Sequence, residues 1–279
     1  MIPETGARPA AHGRDEAPTA DEWLLEVEAS ASLPALVLFP HAGAGAAAYW
    51  RLASQLRDLV RPLIVRLPGR ESRSAEPCFT DVRPLVRALA PVLRPRLGST
   101  YLLYGHSMGA LIAFETARLL SLGCAMHPRR LIVSAMEAPQ DNPTGHERHT
   151  LTDQALWHAV GEMGGVPPEI AADRSMRQML LPTLRADFEL TDTYAFRAMP
   201  LLSCPISAYA GDRDAELPPD AMTGWGANTR GTFDHTVVPG GHFFNLDGRS
   251  GFADALREHL TGQGGSRVTQ TPEPRGGGK

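Results

Sequence analysis

The sequence predicts an α/β fold: a mostly parallel central sheet with helices on both faces and an inserted helical segment. Three observations carry this reading. Short apolar, β-prone runs alternate with longer amphipathic stretches along most of the 279 residues. The runs are continuously apolar rather than alternating, which suits strands covered on both faces, and strand–helix–strand repetition builds a parallel sheet. The rhythm then fails once, from residue 136 to 202, where no convincing strand is found.

In chain order, residues 1–20 are polar, carry Pro and Gly and lack periodicity, so a disordered tail is expected before a domain spanning 21–261. Candidate strands are ALVLF at 35–39, PLIVR at 62–66, YLLY at 101–104, RLIVSA at 130–135, ISAYA at 206–210 and HTVV at 235–238. Candidate helices lie between them, at 46–56, 81–93, 108–122 and 253–260, where apolar residues recur at helical spacing. Within the interruption, 153–163 and 174–198 also read as helices. Helices added after one strand, over about 137–202, are expected to form a lid; the alternative is a packed subdomain that does not gate. A second disordered tail is expected over 262–279, which ends in GGGK.

Composition removes several function classes. Hydrophobic residues at 43% and charged residues at 21% are ordinary globular values, so disorder along the whole chain is excluded. A formal charge of −4 leaves no electrostatic footprint for nucleic acid. No basic-then-apolar leader opens the chain and no run approaches 18 apolar residues, so a soluble cytoplasmic protein without membrane contact is expected, as a monomer. Cys78, Cys124 and Cys204 are too dispersed for a disulfide framework or a metal site and read as buried small hydrophobes. The only lysine is Lys279, which points to a GC-rich, bacterial coding sequence.

The sharpest chemical signal is Gly105-His106-Ser107-Met108-Gly109, between a strand and an apolar-periodic helix. G-x-S-x-G in that setting is a nucleophile elbow, whose glycines keep a tight turn open around a strained serine. Ser107 would stand at a helix N-terminus, where free N–H groups favour negative charge. A serine hydroxyl needs a base, and the base needs an orienting carboxylate. For this elbow the chain order is serine, acid, histidine. Of the ten histidines, His242 follows the last predicted strand in a loop, while His106 lies in the elbow and His235 opens a strand. His12, His127, His146, His149, His158 and His259 are expected to be solvated. The acid comes from Ala210-Gly211-Asp212-Arg213-Asp214: Asp214 reaches past the turn toward the histidine loop, whereas Asp212 suits local turn bonding.

An oxyanion hole takes one N–H from Met108, after the nucleophile, and one from the loop after the first candidate strand. That loop is Phe39-Pro40-His41-Ala42-Gly43-Ala44-Gly45, and Ala42 is the expected donor. It lacks the G-K-[ST] ending of a phosphate cradle.

With these residues in view, the chain resembles the stand-alone type II thioesterases of polyketide and nonribosomal peptide synthesis, a branch of the α/β-hydrolases. The resemblance lies in FPHAGAG at 39–45, LPGRESR at 67–73, YGHSMGAL at 104–111, LPTLRADF at 181–188 and GGHFF at 240–244. It spans Trp23 to about Leu260, with Ala44 standing where the family usually has a second glycine. It implies an α/β-hydrolase fold, a lid formed by the inserted helices, and hydrolysis of stalled acyl groups from the phosphopantetheine arm of carrier proteins. It implies no metal and no redox cofactor. The alternatives are a chain-releasing thioesterase or a general carboxylesterase of the same fold, and, in another class, a non-catalytic carrier-binding protein. Finally, residues 51–100 hold ten arginines against four acids, a local +6. Because carrier proteins are generally acidic, this region, with Arg70 and Arg73 foremost, is a candidate docking face; solvated helix surfaces are the alternative.

Overall fold

Six parallel strands and one antiparallel edge strand form a single sheet in the computed structural model, which describes residues 20–141, 147–166 and 172–261. The strands are β1 (Leu24–Glu26), β2 (Ala35–Phe39), β3 (Arg61–Val65), β4 (Tyr101–His106), β5 (Arg130–Ser134), β6 (Ile206–Gly211) and β7 (Phe233–Val238), in spatial order β1-β3-β2-β4-β5-β6-β7. All six runs expected to be strands lie in it. β1 was not anticipated: three residues are too few for a period, and only its antiparallel pairing, Leu24 opposite Val65, defines it.

Burial on both faces is what the continuous apolar runs require. Val37, Phe39, Leu63, Val65, Leu103 and Val133 point into one core, shared with helices α3 (Val82–Leu97) and α4 (Met108–Cys124). Their neighbours Leu36, Leu38, Ile64, Leu102, Tyr104 and Ile132 point into the other, shared with α2 (Trp50–Leu56) and the C-terminal helix α7 (Phe252–Thr261). A four-residue helix α1 (Ala20–Trp23) leads into β1. The strand alternation that assigns residues to two cores follows from the period of two in an extended chain.

Two helix C-termini differ from expectation by more than two residues. α3 runs on to Leu97 through Pro91 and Pro95. Each proline removes a helical hydrogen bond, yet Leu89, Leu93 and Leu97 continue the buried stripe, and packing outweighs the local break. The long inserted helix, α6 (Arg174–Asp192), stops six residues before 198. There Thr193 turns its hydroxyl back to the Glu189 carbonyl (2.7 Å), and Tyr194 leaves the helix to bond Glu115 in the body at 2.5 Å.

Between β5 and β6 the described residues contain α5 (Asp153–Glu162) and α6, joined through a separate small core of Leu156, Trp157, Val160, Leu181, Leu184 and Phe188. The tails expected over 1–20 and 262–279 lie outside the described residues, Ala20 apart. Cys204 is buried as expected, but Cys78, in the loop before α3, and Cys124, the last residue of α4, are only half-buried. Among the described residues, no helix is long and apolar enough to cross a membrane.

The register places the chemistry. Phe39 sits beside Gly105, His106 beside Ser134, and Gly211 beside Val238, so the carboxyl ends of β2, β4, β6 and β7 form one edge. The loops carrying Ala42, Ser107, Asp214 and His242 all leave from it. In open parallel sheets this is the edge at which ligands bind.

Candidate active site

Ser107 occupies the turn between β4 and α4 with φ 52° and ψ −124°, a backbone conformation that an L-residue adopts only under constraint. The constraint comes from both sides. A β-carbon on Gly105 would overlap the Gly109 carbonyl, and one on Gly109 would overlap the Phe39 carbonyl, each well inside 3.0 Å. The Ser107 N–H is fixed by the Ser134 carbonyl at 2.8 Å. Only glycine fits on either side of the serine because backbone, not side chain, fills the space.

His242 bridges two of the expected groups. Its Nε2 lies 3.3 Å from Ser107 Oγ, and its Nδ1 lies 2.8 Å from Asp214 Oδ2. Asp214 has a side chain only 1% exposed, and its other oxygen accepts from the Glu216 and Leu217 amides at 2.9 and 3.2 Å. The carboxylate is therefore held in place by its own turn while it faces the imidazole. Asp212 does not make the local turn bonds expected of it, which fall to Asp214 instead. Its Oδ1 accepts from the distant Gly240 amide at 2.8 Å, tying the acid loop to the histidine loop.

Ala42 and Met108 line the same recess as Ser107 and His242. Among the described residues, neither amide donates to another protein group. Met108 is the first residue of α4, where no intrahelical acceptor exists for its N–H. The recess opens into an apolar cavity of about 400 Å³ under α5 and α6, lined by Val160, Met176, Leu180, Leu184, Phe188 and Phe243 among others.

Two further histidines surround the site, and burial strips both of charge. His41 is pushed down to about 3, chiefly by desolvation, with His242 and Arg70 adding repulsion. Its Nδ1 meets the Tyr49 hydroxyl at 2.8 Å. His106 is fully buried and held well below its ordinary value, again by desolvation first and by His242 and His41 next. Its Nδ1 meets Ser134 Oγ at 2.8 Å, and its ring meets the His242 ring edge-on at 5.5 Å. His149 and His259, expected to be solvated, are half-buried against Asp192 (3.0 Å) and the Tyr209 hydroxyl (2.7 Å); helix-surface spacing does not reveal a partner on another element. His12 and His146 lie outside the described residues.

Arg70 and Arg73 correct the docking expectation. Arg70 is 8% exposed and Arg73 2%. Arg70 forms a two-pronged ion pair with Asp187 of α6, both contacts 2.7 Å. Arg73 pairs with Glu76 at 2.6 and 2.7 Å, donates to the Arg66 carbonyl and stacks 3.9 Å above the Trp23 ring. Neither guanidinium is available to a partner. Charge counting along the chain missed their partners because Asp187 lies 117 residues from Arg70. The only trace of that pair in the sequence is the occurrence of both residues in the two most distinctive stretches, LPGRESR and LPTLRADF.

Among the described residues, no group of three or more His, Cys, Asp and Glu is arranged to hold a metal.

Comparison with known proteins agrees with this geometry. A family model described as "Thioesterase domain" matches residues 34–261. The thioesterase PikA5 of Streptomyces venezuelae is 34% identical over 241 residues, 85% of each chain. The gramicidin S biosynthesis protein GrsT of Aneurinibacillus migulanus is 32% identical over 225 residues, 80% of this chain and 88% of its own. The solved structure of the type II thioesterase BorB, from the borrelidin biosynthetic cluster, superposes with a TM-score of 0.80 at 35% identity, covering 87% of this chain and 99% of its own. The mostly parallel seven-stranded sheet is thus that of an α/β-hydrolase thioesterase, the fold class expected from the sequence.

Proposed function

The chain belongs to the thioesterase-domain family, and on that premise we propose that Ser107, His242 and Asp214 form its nucleophile, base and orienting acid. The supporting observation is the single imidazole that meets both Ser107 Oγ, at 3.3 Å, and Asp214 Oδ2, at 2.8 Å. In the reaction, His242 Nε2 takes the Ser107 proton as Oγ attacks the thioester carbonyl. The amides of Ala42 and Met108 donate to the resulting oxyanion; loss of one such donor typically costs about 10²–10³ in rate. The tetrahedral centre then collapses and the C–S bond breaks. The departing sulfur takes the proton from His242 Nε2 to leave as the thiol, which returns the imidazole to its neutral form. A thiol with a pKa of about 8.5 is a good leaving group and needs little protonation in advance. Water, deprotonated by His242, attacks the acyl-serine, and the second collapse releases the carboxylic acid and regenerates Ser107.

Burial of His106 as a neutral ring supports this cycle. A charged imidazole 5.5 Å from His242 would oppose the imidazolium that forms at each step, and desolvation keeps that charge away. Asp214 supplies the compensating negative charge from the other side.

The substrate is an acyl thioester on the phosphopantetheine arm of a carrier protein, in polyketide or nonribosomal peptide synthesis, and the role is removal of aberrant or stalled acyl groups. Support comes from the relatives named above and from the apolar cavity, whose lining suits an acyl chain rather than a charged one. Helices α5 and α6 act as the lid. The setting is cytoplasmic, and the working unit is a monomer. The test compares hydrolysis of acyl-pantetheine thioesters with matched oxygen esters. A preference for thioesters is expected, and a strong oxygen-ester preference would remove the thioesterase reading.

A further inference from the structure

We propose that Asp187 and Arg70 are positioning residues for the oxyanion loop, so that a helix of the lid sets the geometry of the Ala42 donor. This builds on the assignment of Ala42 above.

The loop from His41 to Ala47 has no secondary structure to hold it before its short 3-10 turn, so its shape depends on bonds made to other segments. Those bonds come from four side chains. The Tyr49 hydroxyl accepts from the His41 amide at 3.2 Å and meets His41 Nδ1 at 2.8 Å. Asp187 Oδ2 accepts from the Gly43 amide at 2.7 Å. Arg70 Nη1 donates to the Ala44 carbonyl at 3.2 Å. Glu71 Oε1 accepts from the Ala47 amide at 2.9 Å. Within the loop, the Ala44 amide closes a turn on the His41 carbonyl at 3.1 Å.

The Gly43 bond is the decisive one. The peptide plane joining Ala42 to Gly43 carries the Gly43 N–H, so holding that N–H orients the residue on which the Ala42 N–H stands. Gly43 adopts φ +77°, and a β-carbon there would overlap Leu184, one turn before Asp187 on α6; the loop lies directly against that helix. Asp187 is 2% exposed, and its Oδ2 is shared between Gly43 and Arg70. The Arg70 fork fixes the carboxylate by both oxygens and neutralises a charge that would otherwise oppose an oxyanion nearby. Thr183 Oγ1, donating to the Gly69 carbonyl at 3.0 Å, adds a second tie between α6 and the segment carrying Arg70. The LPGRESR and LPTLRADF stretches thereby acquire a joint purpose: they meet around the oxyanion loop.

The test separates positioning from general support. In Asp187→Asn one oxygen remains, and it cannot serve both Gly43 and the full guanidinium. A misplaced donor costs about 10²-fold, so kcat is expected to fall by about that factor while KM stays within about threefold. Two ligands sharpen the readout: a boronic acid, which forms a tetrahedral anion on Ser107, and a thioether analogue of the substrate, which forms none. Asp187→Asn should weaken the boronic acid by about 10²-fold and the thioether by no more than about threefold. Equal weakening of both, or an unchanged boronic acid, overturns the proposal. Should that variant fail to fold, Arg70→Lys keeps the charge but loses the fork, and the same selective loss of about tenfold is expected. Failure of the underlying assignment looks different: the wild-type enzyme would then bind the boronic acid no better than Ser107→Ala does.

Discussion

The carbonyl oxygen of Phe39, the last residue of β2, occupies the place where a β-carbon on Gly109 would stand. Strand end and elbow are thus in backbone-to-backbone contact, and no rotamer change can make room. Gly109→Ala is expected to destabilise the fold by about 3 kcal/mol and to lower Tm by about 10 °C. Gly123, also in α4, has nothing within 4 Å of its would-be β-carbon. Gly123→Ala should therefore hold or raise stability, by about 0.5–1 kcal/mol. Thermal melts of the two variants check both directions; equal melts would mean that the elbow is not tightly packed.

The two aspartates of the acid loop should separate cleanly. Asp214→Asn removes the charge facing His242 and leaves an amide that favours the wrong tautomer, so kcat is expected to fall by about 10⁴. Asp212→Asn keeps an oxygen for the Gly240 amide, so its kcat should stay within about tenfold of wild type. Steady-state kinetics on one thioester decide between them, and a larger loss at Asp212 would reverse the assignment.

Acid should destabilise the fold through its buried histidines. Unfolded, His41 titrates near 6.5; folded, it does so at about 3. A depressed folded value means that the unfolded chain takes up the proton first. The contribution to stability is complete above about 6.5 and is lost as pH falls toward 3. At pH 4.5, two units into that window, His41 accounts for about 3 kcal/mol of lost stability. Urea unfolding at pH 7 and 4.5 should show His41→Asn losing about 3 kcal/mol less than wild type. Equal losses would show that His41 is protonated in the folded state. His106, shifted in the same direction by the same cause, adds to the wild-type slope.

The apolar cavity predicts a chain-length effect. Leu180 lines it from α6, away from the Ser107 recess. Leu180→Trp should fill part of the 400 Å³ and lower kcat/KM for a long acyl thioester by at least about tenfold, with acetyl-thioester turnover nearly unchanged. A uniform loss across chain lengths would mean that the acyl group goes elsewhere.

Much of this architecture was legible before the structure because it depends on local pattern. ALVLF at 35–39 is β2 residue for residue, since a strand buried on both faces announces itself by composition alone. Ser107 was findable because backbone crowding dictates glycine on either side of it, and His242 because it follows the last strand's end. Asp214 stood out from Asp212 only by its reach past the turn. What escaped depends on partners distant in sequence. β1 exists through β3, α3 passes two prolines because its buried stripe continues, and Arg70 finds Asp187 across 117 residues. Arg70 and Arg73 looked like surface charge because a linear count carries no information about burial.

The most direct test of the account is covalent labelling with a serine-directed phosphonate, followed by peptide mass spectrometry and turnover of an acyl-pantetheine thioester. The expected result is one phosphonate, on Ser107, with loss of turnover in proportion to labelling, and neither labelling nor turnover in Ser107→Ala. Thioester hydrolysis that survives in Ser107→Ala, or a label carried on another residue, would contradict it.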